Sequence, residues 1–260
     1  MANKYLMQED APLSAELWEL LNNTMIEVAK SQLAGRKILS TKGPFGFGLR
    51  QISLGEIEIE PGVFSAKVLP LTHIHKTFSV SKRDLAAYEK EMVALDLSSL
   101  IEATKECAKL EDKLIFEGIN SKGLLNSDGV LSVELRSWKN VGEAVNNVIE
   151  AVTKLDEAGF HGPYLLALSP ERYNLLFRRY ESGNQTELEH IKTFVKAVHK
   201  APILKNCGVL IQESDVHASL IIGQDMSIGF IGPVGEKLEF SISESIALLL
   251  NTPSSVCVLK

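Results

Sequence analysis

Between Leu49 and Val80 apolar and polar residues alternate with the two-residue period of a β-strand. Ile52 and Leu54 hold one phase, the phase slips at Gly55, and Ile57 and Ile59 then alternate with Glu56, Glu58 and Glu60. Pro61-Gly62 is a turn dipeptide, and Val68, Leu69, Leu71, Ile74, Phe78 and Val80 make a return strand. The spacing predicts one long hairpin. A lone hairpin is marginal in water, and its open edges offer unpaired backbone groups to another chain. Either a sheet of the same subunit receives it, or a neighbouring subunit does.

Helical periods flank this stretch. Leu17, Leu20, Leu21, Met25, Val28 and Leu33 predict an amphipathic helix from Ser14 to Ile38, with Ser14 as cap and Gly35 as terminator. Lys42 to Gly48 is a glycine-rich connector carrying Phe45 and Phe47. Asp84 to Met92 is predicted helical, and Ser99 to Glu117 a longer helix, with Ser99 and Glu102 as a capping box and Gly118 as the stop.

The middle of the chain alternates types. Helices are expected at Val141 to Ala158, Pro170 to Tyr180 and Leu188 to His199, and strands at Pro163 to Leu168, Val209 to Gln212 and Ser219 to Ile222. A polar loop, Glu181 to Thr186, separates the last two helices. In the tail Leu238, Phe240, Ile242, Ile246, Leu248 and Leu250 alternate, with Glu244 interrupting the apolar face, as in a half-buried antiparallel strand. Val256 to Leu259 is a last short strand.

Composition narrows the function. With 45% hydrophobic residues in 260, the chain can bury a substantial core. A formal charge of -6 supplies no basic footprint for nucleic acid. Cys107, Cys207 and Cys257 stand far apart with no metal-knuckle spacing, which fits reduced thiols in a cytoplasmic protein. Residues 1–13 lack the apolar core of a signal peptide, and no run is long enough to span a membrane.

No phosphate loop, nucleophile elbow, HExxH or dinucleotide fingerprint is present. His73 and His75 share a strand face at a spacing that could hold a metal; a solvated or intersubunit face is the preferred reading. Glu56, Glu58 and Glu60 could do acid–base work, but three carboxylates on an arm read better as solubilising or interfacial charge. His161 lies in a turn and lacks a nameable catalytic partner, and Asp225 reads as a turn cap. No catalytic residue, metal site or cofactor is predicted.

An ordered series of short motifs then carries a resemblance. Ala11-Pro12-Leu13, Gln32 to Lys37, Gly43-Pro44-Phe45-Gly46, Asp96 to Leu100, Glu111-Asp112, Ile115 to Gly118, Lys122 to Leu125, Gly162-Pro163-Tyr164 and Gly223 to Gly229 follow one another along nearly the whole chain. In this order they resemble the encapsulin family, of the linocin-like type 1 class. The resemblance implies an α+β fold, the Hong Kong 97-type phage major coat-protein fold, with peripheral domain, axial domain, extended β-hairpin arm and an N-terminal helix.

On that plan residues 1–48 are the lumen-facing helix and connector, 49–80 the arm, 81–128 the peripheral domain with its spine helix, 129–223 the axial domain and 224–260 the peripheral return strands. The implied function is a non-catalytic shell protein. It would assemble with itself, in the smallest icosahedral class, and enclose ferritin-like iron oxidases or dye-decolourising peroxidases through their short C-terminal docking peptides.

The resemblance also assigns sites. Tyr180, Glu181, Asn184, Gln185 and Glu187 would line a five-fold pore favouring cations; Leu17, Leu21, Arg36, Ile38 and Leu259 would dock cargo. Some relatives bind flavin through a tryptophan just after the arm. The matching stretch, Phe78 to Leu85, has none, so no flavin is expected. The alternatives are a prophage major capsid protein and, further off, a protease or bacteriocin.

Overall fold

In chain order the computed structural model, which describes residues 4–91, 93–119, 121–181 and 183–260, begins with helix α1 (Ala15–Gln32) and strand β1 (Ser40–Lys42). Strands β2 (Gln51–Glu60), β3 (Val63–Pro70) and β4 (Thr72–Ser81) lead to helices α2 (Lys82–Glu91) and α3 (Ser98–Phe116). Strand β5 (Leu131–Val133), helix α4 (Glu143–Glu157), strand β6 (Tyr164–Leu168) and the short helices α5 (Pro170–Leu175) and α6 (Glu187–Ile191) come next. Strands β7 (Ala197–Lys200), β8 (Gly208–Gln212), β9 (Ala218–Val234), β10 (Lys237–Leu250) and β11 (Val256–Leu259) complete the chain. Met92, the expected end of α2, and Ser182, in the polar loop, lie outside the described residues.

Two units share these elements. The first comprises Met1–Gln32, Gly43–Glu111 and Ile221–Ala247; the second comprises Leu33–Lys42, Asp112–Leu220 and Leu248–Lys260. The helix α3 and the strands β9 and β10 run through both.

In the first unit β10 lies between β9 and β4. It pairs antiparallel with β4 from Lys237↔Ser81 to Ile246↔Thr72. The alternation of Leu238, Phe240, Ile242 and Ile246 puts their side chains on one face. There Phe78 stacks on Phe240 with centroids 5.2 Å apart, and Trp18 of α1 meets Phe240 edge-on at 6.0 Å. The α3 helix is fastened to the same sheet by Ser99 Oγ donating to the Ser79 carbonyl at 2.8 Å.

Beyond its first residues β10 is not half-buried as its alternation predicts: from Phe240 to Leu249 every residue is buried. The second face carries Ser241, Ser243 and Ser245, small enough to be covered closely. A Cβ on Gly223 would stand 2.5 Å from Ser245 Oγ, and one on Gly229 2.8 Å from Ser241 Oγ and 3.2 Å from the Leu6 carbonyl. Gln224 satisfies two of the serines, its backbone N–H donating to Ser245 Oγ (2.9 Å) and its side-chain Nε2 to Ser243 Oγ (3.1 Å).

Helix ends follow local chemistry. Ser14 Oγ accepts from Leu17 N at 3.3 Å, as a cap should. The α1 helix stops at Gln32, and Gly35–Lys37 forms a separate 3-10 turn. The expected Ser99–Glu102 capping box gives way to Asp96, whose Oδ1 accepts from Ser98 N at 2.9 Å, because the Ser99 hydroxyl is taken by Ser79. Gly118, at φ 87°, ends α3 with its N–H donating to the Lys113 carbonyl.

The second unit holds a five-stranded sheet in the order β5-β11-β8-β6-β7. Val145, Val148, Ala151 and Leu155 of α4 recur at helical spacing and pack into a core with Trp138, Leu166, Leu210 and Leu259. Two expected helices are cut short. The first ends at Leu175 rather than Tyr180. The other ends at Ile191, and Ala197–Lys200 becomes β7, parallel to β6 from Leu165↔Ala197 to Leu168↔Lys200. Val195 and Val198 fit the helical period, yet only Val198 enters the sheet, paired with Leu166; both are buried. In the same unit the buried Asp112 carboxylate accepts from Ala34 N (3.0 Å) and Gly35 N (2.8 Å).

Candidate assembly arm and pore loop

The hairpin forms, but shorter than its pattern predicts. Among the described residues the β2 and β3 strands pair only with each other, as a two-stranded sheet. Their register runs from Gln51↔Pro70 to Glu60↔Val63, with an irregularity between Ser53 and Glu56 where the sequence phase slips. Gly55 sits there at φ 93°, a conformation that favours glycine. At the tip Gly62 (φ 79°) donates its N–H to Glu58 Oε1 at 2.8 Å. The return strand does not continue to Val80. Pro70 has no N–H, Leu71 N closes the ribbon by donating to the Arg50 carbonyl at 2.8 Å, and the chain re-enters the first unit's sheet as β4.

Both ribbon faces are apolar in part. Glu58 opposes Phe64 and Ile57 opposes Ser65, so Phe64 shares the glutamate face and Ile57 and Ile59 share the other. Ile57, Ile59, Val63, Phe64 and Val68 are all exposed. Scattered exposed apolar residues are ordinary, but a cluster on an otherwise unpaired ribbon marks an interaction surface.

The polar loop in the second unit is built by four contacts. Arg179 and Thr186 form an isolated bridge, and Tyr180 N donates to the Gln185 carbonyl at 3.2 Å. Thr186 and Glu189 make a full capping box, and these hydrogen bonds hold the Glu189 carboxyl below the usual range. Tyr180 Oη lies 2.9 Å from His190 Nδ1.

Of the five residues expected in a pore, Glu181, Asn184 and Gln185 are exposed and Tyr180 is half-buried. Glu187 corrects the expectation, being 0% exposed. Its Oε1 accepts from Gly142 N at 2.8 Å and its Oε2 from Arg178 Nη2 at 2.9 Å. Burying a carboxylate requires such partners, and a carboxylate so engaged holds the loop's base and does not line an opening. Arg178, Gly142 and His190 were missed by sequence reasoning; nothing in the local pattern links position 142 to 187.

The docking candidates fall in both units. Leu17 and Leu21 are buried in the first unit, Ile38 and Leu259 in the second, and Arg36 is half-buried. The four aliphatic residues cannot themselves present a surface.

Other candidates resolve simply. His161 Nδ1 and the Tyr164 hydroxyl share Asp156 Oδ1, at 3.2 and 2.6 Å, a surface network without a nucleophile. Asp225 corrects the expectation of a turn cap: it lies exposed within β9, where its Oδ1 accepts from Met226 N at 2.9 Å. Cys107, Cys207 and Cys257 are free thiols, and burial raises all three, Cys107 to about 12 and Cys257 to about 11. Desolvation, then the nearby His75, lowers His73. Among the described residues no helix is long and apolar enough to cross a membrane, and no group of three or more ligand-type side chains could hold a metal.

Residues 3–247 match the family described as the encapsulating protein for peroxidase, Linocin_M18. The chain belongs to this encapsulin family. It is 31% identical over 278 aligned positions to the type 1 encapsulin shell protein EncA of Myxococcus xanthus, covering 98% of this chain and 96% of that one. The virus-like particle of Pyrococcus furiosus has the same fold, with a TM-score of 0.77 at 23% identity over 95% of this chain and all (100%) of that one. The capsid of Myoviridae phage XM1 also shares it, with a TM-score of 0.63 at 12% identity over 85% and 88% of the two chains. The fold is thus the α+β Hong Kong 97-type coat fold. Membership of the encapsulin family favours a shell protein over a prophage capsid protein, to which only the fold extends.

Proposed function

We propose that this encapsulin subunit assembles with copies of itself into a closed icosahedral shell of the smallest class. The observation that carries the reading is the β2–β3 ribbon, paired with no other strand among the described residues and exposing Ile57, Ile59, Val63, Phe64 and Val68. Strand edges and apolar clusters of this kind are completed by β-augmentation from a neighbour. The subunit is the wall and not the catalyst; enzymes such as a ferritin-like iron oxidase or a peroxidase are the contents, admitted through short C-terminal docking peptides. The compartment is cytoplasmic.

Docking uses α1. Leu17 and Leu21 hold the helix from behind, so the peptide meets its outward side, where Ile26 is exposed and Leu20 half-buried. The pore is formed by the tip residues Glu181, Asn184 and Gln185 around a symmetry axis, with Tyr180 behind them. Exposed carboxylates there raise the local cation concentration.

The test replaces residues 55–67 with Asn-Gly, a dipeptide suited to a tight hairpin turn. Size-exclusion chromatography and electron microscopy should find hollow particles from the parent chain and small soluble species from the variant. A parent chain that remains a monomer defeats the reading; regular shells from the variant defeat the role of the arm.

A further inference from the structure

We propose that His73 and His75 of β4 form a two-histidine chelate for a divalent transition-metal ion of the zinc class. The proposal stands apart from the shell reading and from the pore. The two residues are two apart on one strand, so their rings rise from the same face, and both are exposed. Their ring centroids are 6.1 Å apart and the ring planes differ by 33°. Two imidazoles sharing a tetrahedral ion, with Zn–N of about 2.0–2.1 Å, hold their centroids about 5 Å apart. Small χ rotations of exposed side chains close the difference.

The neighbouring polar side chains are engaged elsewhere. The residues directly opposite, Ser245 and Ser243, are occupied by Gln224, so neither serine competes for the rings. Lys76, the cation that follows His75 in sequence, belongs to the opposite face, where its Nζ is 2.8 Å from Glu106 Oε2. No basic side chain of β4 thus shares the face. Neutral imidazole selects zinc, copper and nickel over calcium and magnesium, which makes the site distinct from any oxygen-lined cation path.

The experiment is equilibrium dialysis of the assembled, cargo-free protein against Zn²⁺ near neutral pH, with calcium as control. The parent chain, His73→Asn, His75→Asn and the double variant are compared, and thermal unfolding and particle size are recorded for each. The expected result is one strong zinc site per subunit, weakened about tenfold or more by either single substitution and absent from the double variant, with assembly unchanged. Strong zinc binding that survives in the double variant overturns the chelate. So does loss on only one of the single substitutions, or the absence of saturable binding at micromolar zinc.

Discussion

Removing apolar surface from the arm should weaken assembly without weakening the subunit. Ile59 and Phe64, on opposite faces of the ribbon, are each 60% exposed. Complete burial of such a side chain is worth about 1.5–3 kcal/mol, so covering the exposed part contributes about 1–2 kcal/mol apiece. The double change Ile59→Ala and Phe64→Ala should therefore cost about 2–3 kcal/mol per subunit contact if neighbours cover both faces, and about half that if they cover one. At 1.4 kcal/mol per decade, the subunit concentration needed for assembly rises roughly 30- to 150-fold in the first case. A dilution series followed by light scattering, with micrographs at each step, measures the shift. The isolated subunit should unfold within about 0.5 kcal/mol of the parent, because these side chains lie on its surface. Unchanged assembly at every dilution would refute burial of the arm by a neighbour.

Other substitutions probe the interior. Glu187→Ala removes the carboxylate from Arg178, which keeps the Leu175 and Lys139 carbonyls, and frees Gly142 N; breaking a buried pair costs about 3–5 kcal/mol, and with Arg178 27% exposed and still hydrogen-bonded the expectation is the lower end or below, read by calorimetry. Asp112→Ala removes the acceptor for Ala34 N and Gly35 N and should cost about 1–3 kcal/mol in denaturant unfolding. In native protein at mildly alkaline pH, iodoacetamide should label Cys207, the partly exposed thiol, well before Cys107 and Cys257, which burial holds protonated up to about 12 and about 11; peptide mass spectrometry reads the order. The same two thiols make stability fall with rising pH. Their ordinary value is 9.0, so the advantage is complete below that and shrinks above it as the unfolded chain releases protons that the folded one retains. Urea midpoints from neutral pH to pH 10 measure the slope, which Cys107→Ser with Cys257→Ser should flatten.

Legibility tracked the locality of the cause. The phase slip at Gly55, the Pro61-Gly62 turn and the helix α1 were readable because a few adjacent residues set them. The continuation of the hairpin to Val80 was misread because Thr72–Ser81 alternates equally well whichever strand it pairs with; only β10, over a hundred residues away, decides. Ala197–Lys200 looked helical for the same reason, since its pairing with β6 is invisible in its own window. The resemblance assigns Glu187 to an opening together with the rest of its loop; its burial depends on Gly142 and Arg178 converging on it. The motif series fared better than the individual roles, because order along a whole chain survives the substitutions that blur single positions.

The ladder break after Pro70 bears on how the particle closes. A ribbon fused into the sheet would inherit its direction from ten rigid strand residues; this one leaves through Leu71 and the backbone bond to Arg50. If a sibling grips it, as proposed, its heading can follow that sibling, and curvature becomes a property negotiated at each joint.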